Sequence, residues 1–301
     1  LLYIPCMIGL RRDLKSSCIK IMFCLSFLDM FAIMANCVIF GFLLFEGAVY
    51  CSNRAITLGV GIVGYGSDTF FCLWLDSSFE AAWCTASTCC LVLAFNRLFE
   101  VLGLSKYFTN TRTNIYIGIC CAYGILMTLF TRPVIFNSKL QSMFFSPFIP
   151  GHSFDEYVNW PHAVHNIVVT FLFCAIYLTL CIVLSAKSRA LYSTGSTQRL
   201  IYNMPIFAQA MIISCVNLVA ASIYVFMNFI PVPAFVIVLG QAFWQMSHAS
   251  PPYIYLALNK SIRRFVFESV GLGSLLRNQS EVRMFTTTQG SPVSLQAVST
   301  V

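Results

Sequence analysis

At three places chemically able residues stand where this chain is least suited to carry them. Asp29 lies inside "CLSFLDMFAI", Arg97 closes the apolar run "LVLAFNRLFEV", and Pro251, Pro252 and Tyr255 interrupt the run "PPYIYLAL". Asp29 is nine residues beyond Lys20, which places it about 13 Å along a helix from that charge. A carboxylate at that depth in hydrocarbon costs at least ~2.5 to 3.5 kcal/mol, so it should face other helices and be hydrogen-bonded or neutralised. Two readings compete for it, a functional group and a polar contact that merely joins helices. Arg97 follows sixteen uncharged residues, 81–96, and at a membrane boundary its stem can cross apolar surface while the guanidinium reaches water. The two prolines free backbone carbonyls that other groups must satisfy, which makes a hinge. Hydrolytic or metal chemistry finds little support. His162 and His165 are close in sequence, but His152 and His248 are scattered, and no HExxH pattern, paired aspartates or metal-ligand spacing occurs. No catalytic residue, metal or cofactor is therefore expected.

The elements that position these groups are membrane spans. Hydrophobic residues make up 58% of the chain and charged residues 10%, with mean hydropathy +0.78, against roughly 25% charged in a soluble domain. Apolar stretches at 1–10, 21–44, 55–101, 115–136, 164–186, 201–229 and 234–258 predict an all-α, polytopic membrane protein built as a seven-helix bundle. The first stretch is shorter than a span needs and reads as the tail of a truncated first helix. Of the fourteen cysteines, all but Cys51 lie in or beside apolar stretches or in the block 67–81, where an unpaired thiol packs as a small hydrophobe.

Positive charge sets the orientation. Fifteen of the eighteen Lys and Arg residues fall in the odd loops and after the last span, and only Arg54, Arg132 and Lys139 fall on the other side. That asymmetry puts the odd loops and the C-terminus in the cytoplasm. It also accounts for the net charge of +7 through a basic rim facing anionic membrane lipid, without nucleic acid as a partner. After Asn259, basic residues alternate with Ile262, Phe265, Val266 and Phe267, the pattern of a short amphipathic helix on the inner membrane surface.

The third stretch is too long. Residues 55–97 would make a helix of about 64 Å and would carry Asp68, Asp76 and Glu80. Either the span runs from about Ser77 with a long apolar outer loop, or "SDTFFCLWLDSSFEA" at 67–81 is an insertion that splits one helix. The second reading is preferred, with a retained intron as one origin. Domain organisation is then a membrane-spanning bundle over 1–270 and a flexible tail over 271–301, rich in phosphorylatable Ser and Thr.

An Asp in the second span, an Arg ending the third and a Pro-x-x-Tyr ending the seventh, followed by an amphipathic segment, resemble the rhodopsin-like G-protein-coupled receptors. More narrowly, "YIPC", "KIMFCLSFLDM", "GAVYCSN", "LAFNR", "FSPFIPGHSFDEYVNWPH" and "YLALNKSIR" look like the nematode serpentine chemoreceptors of class T (Srt). The resemblance implies a receptor, not an enzyme, in the plasma membrane and by family habit in a sensory cilium. It implies that Arg97 swings between an inactive contact and a heterotrimeric G protein. Asn96 stands where such receptors usually carry an acid, so the usual local ion pair is missing and either basal activity rises or another restraint takes over. Asp29 matches an acid that often helps bind sodium. Pro252 and Tyr255 match the seventh-span motif, with Pro251 in place of the usual Asn. The usual disulfide to the second outer loop has no partner there, because no Cys occurs between Ala122 and Phe173, leaving Cys51 and Cys72 to pair otherwise or stay free. Loop order is then expected from the run of Pro147, Pro150 and Pro161 and its aromatics.

Tyr224, Gln241 and Trp244 on the outer halves of later spans are the candidate ligand-binding residues, for an unidentified small lipophilic molecule. The alternative for all three is plain packing. The terminal "STV" could add to a PDZ-domain sheet edge. A transporter or channel-like protein is the competing class, but a transporter should show internal repeats and midplane charges, and outside the third stretch only Asp29 meets that description.

Overall fold

Apolar runs become helices, and polar or turn-forming residues end them. The computed structural model describes residues 1–47, 69–131, 134–145, 151, 154–192, 198–269 and 271. Helix α1 covers Tyr3–Arg11 and α2 Ser17–Ile33, after which Met34–Ile39 widens into a π-helical turn before α3, Phe40–Phe45. Then come α4 (Thr69–Leu102), α5 (Asn110–Phe130), a hairpin of β1 (Ile135–Asn137) and β2 (Ser142–Phe144), α6 (Trp160–Tyr192) and α7 (Gln198–Phe229). The last three helices are α8 (Ala234–Ala249), α9 (Pro251–Leu258) and α10 (Lys260–Ser269). Among the described residues the fold is all-α apart from that one antiparallel hairpin.

Among the described residues, Ser17–Phe45, Ala82–Leu102, Trp160–Lys187 and Phe207–Phe229 have the length and hydropathy needed to cross a membrane. Large apolar side chains such as Leu129, Phe130, Phe171 and Phe235 stand exposed on the bundle's outside, as lipid-facing positions require. Helix α4 is the hub, packing against α2, α5, α6 and α7. It is helical from Thr69 through the block 67–81, and 34 residues make it about 51 Å long. Residues 48–68, including Cys51, lie outside the described set, as does the tail from 272 onward.

Helix α5 starts five residues before the expected 115 because Thr109 caps it, its hydroxyl accepting from the Arg112 amide at 3.4 Å. It stops at Phe130 rather than 136, since the apolar "VIF" at 134–136 belongs to the hairpin. Hydropathy alone does not separate a short buried strand from a helix end.

At α10 the Asn259 side chain accepts from the amides of Ser261 and Ile262, both at 3.1 Å. That cap starts a helix whose Ile262 and Val266 are buried while Arg264 is exposed and pairs with Glu268 at 2.7 Å. Phe265 lies under the Arg12 guanidinium at 4.0 Å, and Gly9 lets the ring approach α1, since a Cβ there would sit 3.1 Å from it. Helices α7 and α8 approach closely at Gly240, where a Cβ would stand 3.0 Å from Met227 Sδ and 3.1 Å from Ile223 Cγ2.

Two apolar clusters fill the bundle. One, around Leu10, Leu93, Ala94, Tyr255 and Ile262, lies toward the Arg97 end. The other, around Phe40, Trp83, Phe136, Phe144, Tyr224 and Trp244, lies beneath the hairpin. Buried thiols such as Cys6, Cys18, Cys89 and Cys90 pack in the first cluster.

Candidate functional site

The prolines of the last span govern the first part of the site. Pro252 has no N–H, so the His248 carbonyl, its partner in an unbroken helix, is left open. The Tyr3 hydroxyl from α1 fills it at 2.6 Å and also stands 2.9 Å from Asp29 Oδ2. The other carboxylate oxygen, Oδ1, is 2.8 Å from His248 Nδ1. Asp29 is thus 4% exposed and joins α1, α2 and α8 through one tyrosine and one histidine. This is the hydrogen-bonded, inward-facing position that an acid at such depth requires.

The donor set bears on the sodium that the resemblance brings to mind. Both carboxylate oxygens face donors, a hydroxyl and an imidazole, not an open cradle of further oxygens. These residues fit a paired carboxylate and do not fit a hard cation, which takes a shell of oxygen ligands. Among the described residues no group of three or more His, Cys, Asp or Glu is arranged to hold a metal. His248 was not legible as Asp29's partner, being 219 residues away. One signal could have found it: His248, Pro252 and Tyr255 are spaced i, i+4, i+7, one face of a helix.

At the opposite end of α4, Arg97 is buried at 4% exposure. Its Nη1 pairs with Glu100 Oε2 at 2.8 Å and its Nη2 donates to Asn96 Oδ1 at 2.8 Å. Its Nε has no hydrogen-bond partner. The side chain does not reach out to water; it is folded back along its own helix. Asn96 supplies a neutral acceptor in place of the absent acid, and Glu100, one turn on and 41% exposed, supplies the charge. Tyr255 is fully buried with its hydroxyl unbonded, in the same apolar cluster as Leu93 and Ala94 of α4.

Beneath the hairpin, Trp83, Val134, His162, Tyr224 and Trp244 line a small cavity. Of the three ligand candidates, Tyr224 and Trp244 line it. Gln241 stands behind it and holds the hairpin: its Oε1 accepts from the Met143 amide at 3.1 Å, while the Tyr224 hydroxyl donates to the Met143 carbonyl at 3.2 Å. Gln241 Nε2 donates to Asn36 Oδ1 at 3.3 Å, and Gln245 Nε2 to the Asn36 carbonyl at 2.7 Å. The π-helical turn explains that second bond, because a widened turn leaves a carbonyl without its usual partner. Hairpin order thus comes from α7 and α8, with Phe136, Met143 and Phe144 buried. Of the expected proline run, Pro147 and Pro150 lie outside the described residues. Cys72 falls on α4, but the pairing of Cys51 and Cys72 lies outside the described residues and side chains.

Behind the cavity a polar chain crosses from α4 to α6. Trp83 Nε1 donates to Asn166 Oδ1 at 3.0 Å, and Asn166 Nδ2 meets His162 Nε2 at 2.8 Å. His165 lies between Ser87 Oγ at 2.8 Å and the Tyr123 hydroxyl at 2.9 Å. The sequence places the two histidines three residues apart and shows the partners of neither.

A bundle of long apolar helices, with a paired acid at its heart, a folded-back arginine at one end and an aromatic cavity at the other, defines a multi-pass membrane protein of the serpentine receptor type. Residues 1–279 match the family described as Serpentine type 7TM GPCR chemoreceptor Srt, and the chain belongs to that family. It is also similar to "Serpentine receptor class T-55" of Caenorhabditis elegans, 25% identical over 246 residues that cover 81% of this chain and 62% of that protein. The chain therefore spans less than two thirds of that relative's length. The family is one of receptors, not of enzymes.

Proposed function

We propose that this protein binds a small molecule in the cavity beneath the hairpin and, in response, activates a heterotrimeric G protein at the Arg97 end. What supports the reading is one helix that serves both ends. Trp83 lines the cavity and Arg97 lies fourteen residues further along α4, about 21 Å at 1.5 Å per residue. A ligand that favours one arrangement of the helices around Trp83, Tyr224 and Trp244 shifts the population in which Arg97 leaves Glu100 and Asn96. Asp29, His248, Pro252 and Tyr255 form the hinge between. The Arg97 end faces the cytoplasm, α10 lies on anionic lipid, and the site of action is the plasma membrane of a sensory cilium. Residues 1–270 are the receptor domain, and the hydroxyl-rich tail 271–301 carries phosphorylation sites and a PDZ-domain ligand at its end.

Nucleotide exchange on a heterotrimeric G protein, measured in membranes carrying the full chain and exposed to panels of volatile and secreted small molecules, tests this reading. A ligand-dependent rise supports it. The Asn96→Asp variant, which places a second carboxylate on Arg97, should show a lower exchange rate without ligand; an unchanged baseline counts against Asn96 as part of the restraint. Block 67–81 is proposed as an insertion that prolongs α4 beyond the span Ala82–Leu102. Sequencing the mature transcript decides its origin, and presence of the block there rules out a retained intron.

A further inference from the structure

We infer that Gln209 keeps the packing of α7 against α2 and α4 close to balance: its buried amide is left unpaired while these helices are closed together and is satisfied when they part and water reaches it. The inference rests on the proposed receptor reading and deepens it, by naming a residue of α7 that sets how readily the two arrangements of the bundle exchange.

The first support is the amide itself. Gln209 is 1% exposed, and its Oε1 has no hydrogen-bond partner among the described residues. Its Nε2 faces the Met22 sulfur of α2 at 3.8 Å, and a thioether is only a weak acceptor. Turning the amide over does not help. The carbonyl then meets a thioether that donates nothing, and the NH2 becomes the group left over. A buried polar group without a partner bears its full desolvation penalty.

The second support is the surroundings. Cys18 and Met22 of α2, Leu93 of α4, and Ala210 and Ile213 of α7 stand round Gln209, and the gap between them is too narrow for a water molecule. The Cys18 thiol is directed at Met22 Sδ, at 3.6 Å. Further along α7 such groups are matched: Ser214 Oγ is 2.7 Å from the Tyr177 hydroxyl of α6, and Asn217 Nδ2 donates to the Ile213 carbonyl at 2.9 Å.

The third support is position. Leu93 stands one turn before Arg97 on α4, and Cys18 is the neighbour of Arg97 on α2. The seam that the unpaired amide weakens therefore borders the residue proposed to meet the G protein. Parting of the seam hydrates Gln209 and loosens the surroundings of Arg97 in one movement, which narrows the free-energy gap that a ligand has to overcome.

The test uses the full chain in lipid nanodiscs, and its main readouts need neither ligand nor G protein. Gln209→Met removes the polar group and keeps a flexible, unbranched side chain. It should raise the unfolding temperature by about 2–4 °C. It should also slow alkylation of Cys18 by N-ethylmaleimide about tenfold, followed peptide by peptide by mass spectrometry. Cys18 lines the seam and is 4% exposed, so the reagent reaches it when the seam opens. Gln209→Glu, which places a carboxyl in the same apolar setting, should speed that alkylation. A lower unfolding temperature in Gln209→Met, or Cys18 alkylation that Gln209→Met leaves unchanged, would overturn the inference. Nucleotide exchange separates it from the receptor reading. A chain in which Cys18 responds as expected but which never drives exchange loses only the receptor reading, and one that drives exchange while Cys18 is indifferent to residue 209 loses only this inference.

Discussion

Arg97→Ala should reduce ligand-dependent nucleotide exchange to the level of membranes lacking the receptor while surface expression stays unchanged. Among the described residues the guanidinium is the one charged group buried at that end of α4, and it is held by two contacts from its own helix, Glu100 Oε2 and Asn96 Oδ1, each at 2.8 Å. Neither of these two contacts ties α4 to another helix, and the remaining neighbour across the bundle is the Cys18 thiol of α2, so removing Arg97 takes away the group available to a partner at small cost to the packing of the helices. Glu100 is 41% exposed and returns to water at little cost, since an exposed ion pair is worth about 0–1 kcal/mol. Exchange that survives Arg97→Ala at normal expression would remove Arg97 from the coupling role. Loss of surface expression together with exchange would make the residue structural.

Substitution of Asp29 should act oppositely, on stability first. Asp29→Ala leaves His248 Nδ1 without its acceptor and takes away one of the two acceptors of the Tyr3 hydroxyl. Removing one member of a buried charged or hydrogen-bonded pair costs about 3–5 kcal/mol, which should appear as a marked fall in unfolding temperature in detergent. Asn at 29 keeps an acceptor for one donor and should cost less. The pair Asp29→Asn and His248→Phe, measured singly and together, separates partnership from packing, because contacting groups deviate from additivity by about 0.5–3 kcal/mol. Additive effects would mean that the 2.8 Å contact with His248 contributes nothing to the fold.

The positions of the helices were legible in the sequence because each is an apolar run bounded by charges or turns. Family membership was legible because several short motifs occur in the right order. Hydropathy misplaced the end of α5, since "VIF" is equally apolar as a strand. The partners of the polar groups were harder to see. Tyr3, Asp29 and His248 meet across separations of 26 and 219 residues, and nothing local to Asp29 announces which histidine closes the site. Arg97's own partners were nearer to hand. Glu100 is three residues on, but a sequence read for a missing acid at 96 looks past an acid at 100. Gln241 is an amide that could face a ligand, and in the structure it accepts from a backbone amide at 143, which no side-chain pattern records.

That last contact has an evolutionary side. Loops at the mouth of a receptor must vary if ligands are to vary, yet they must also stay in place. Here the hairpin is fastened by the peptide groups of residue 143, its N–H to Gln241 and its carbonyl to Tyr224, and every amino acid except proline brings both groups. The fastening therefore tolerates drift in the loop's own residues, with the constraint transferred to two side chains on the helices.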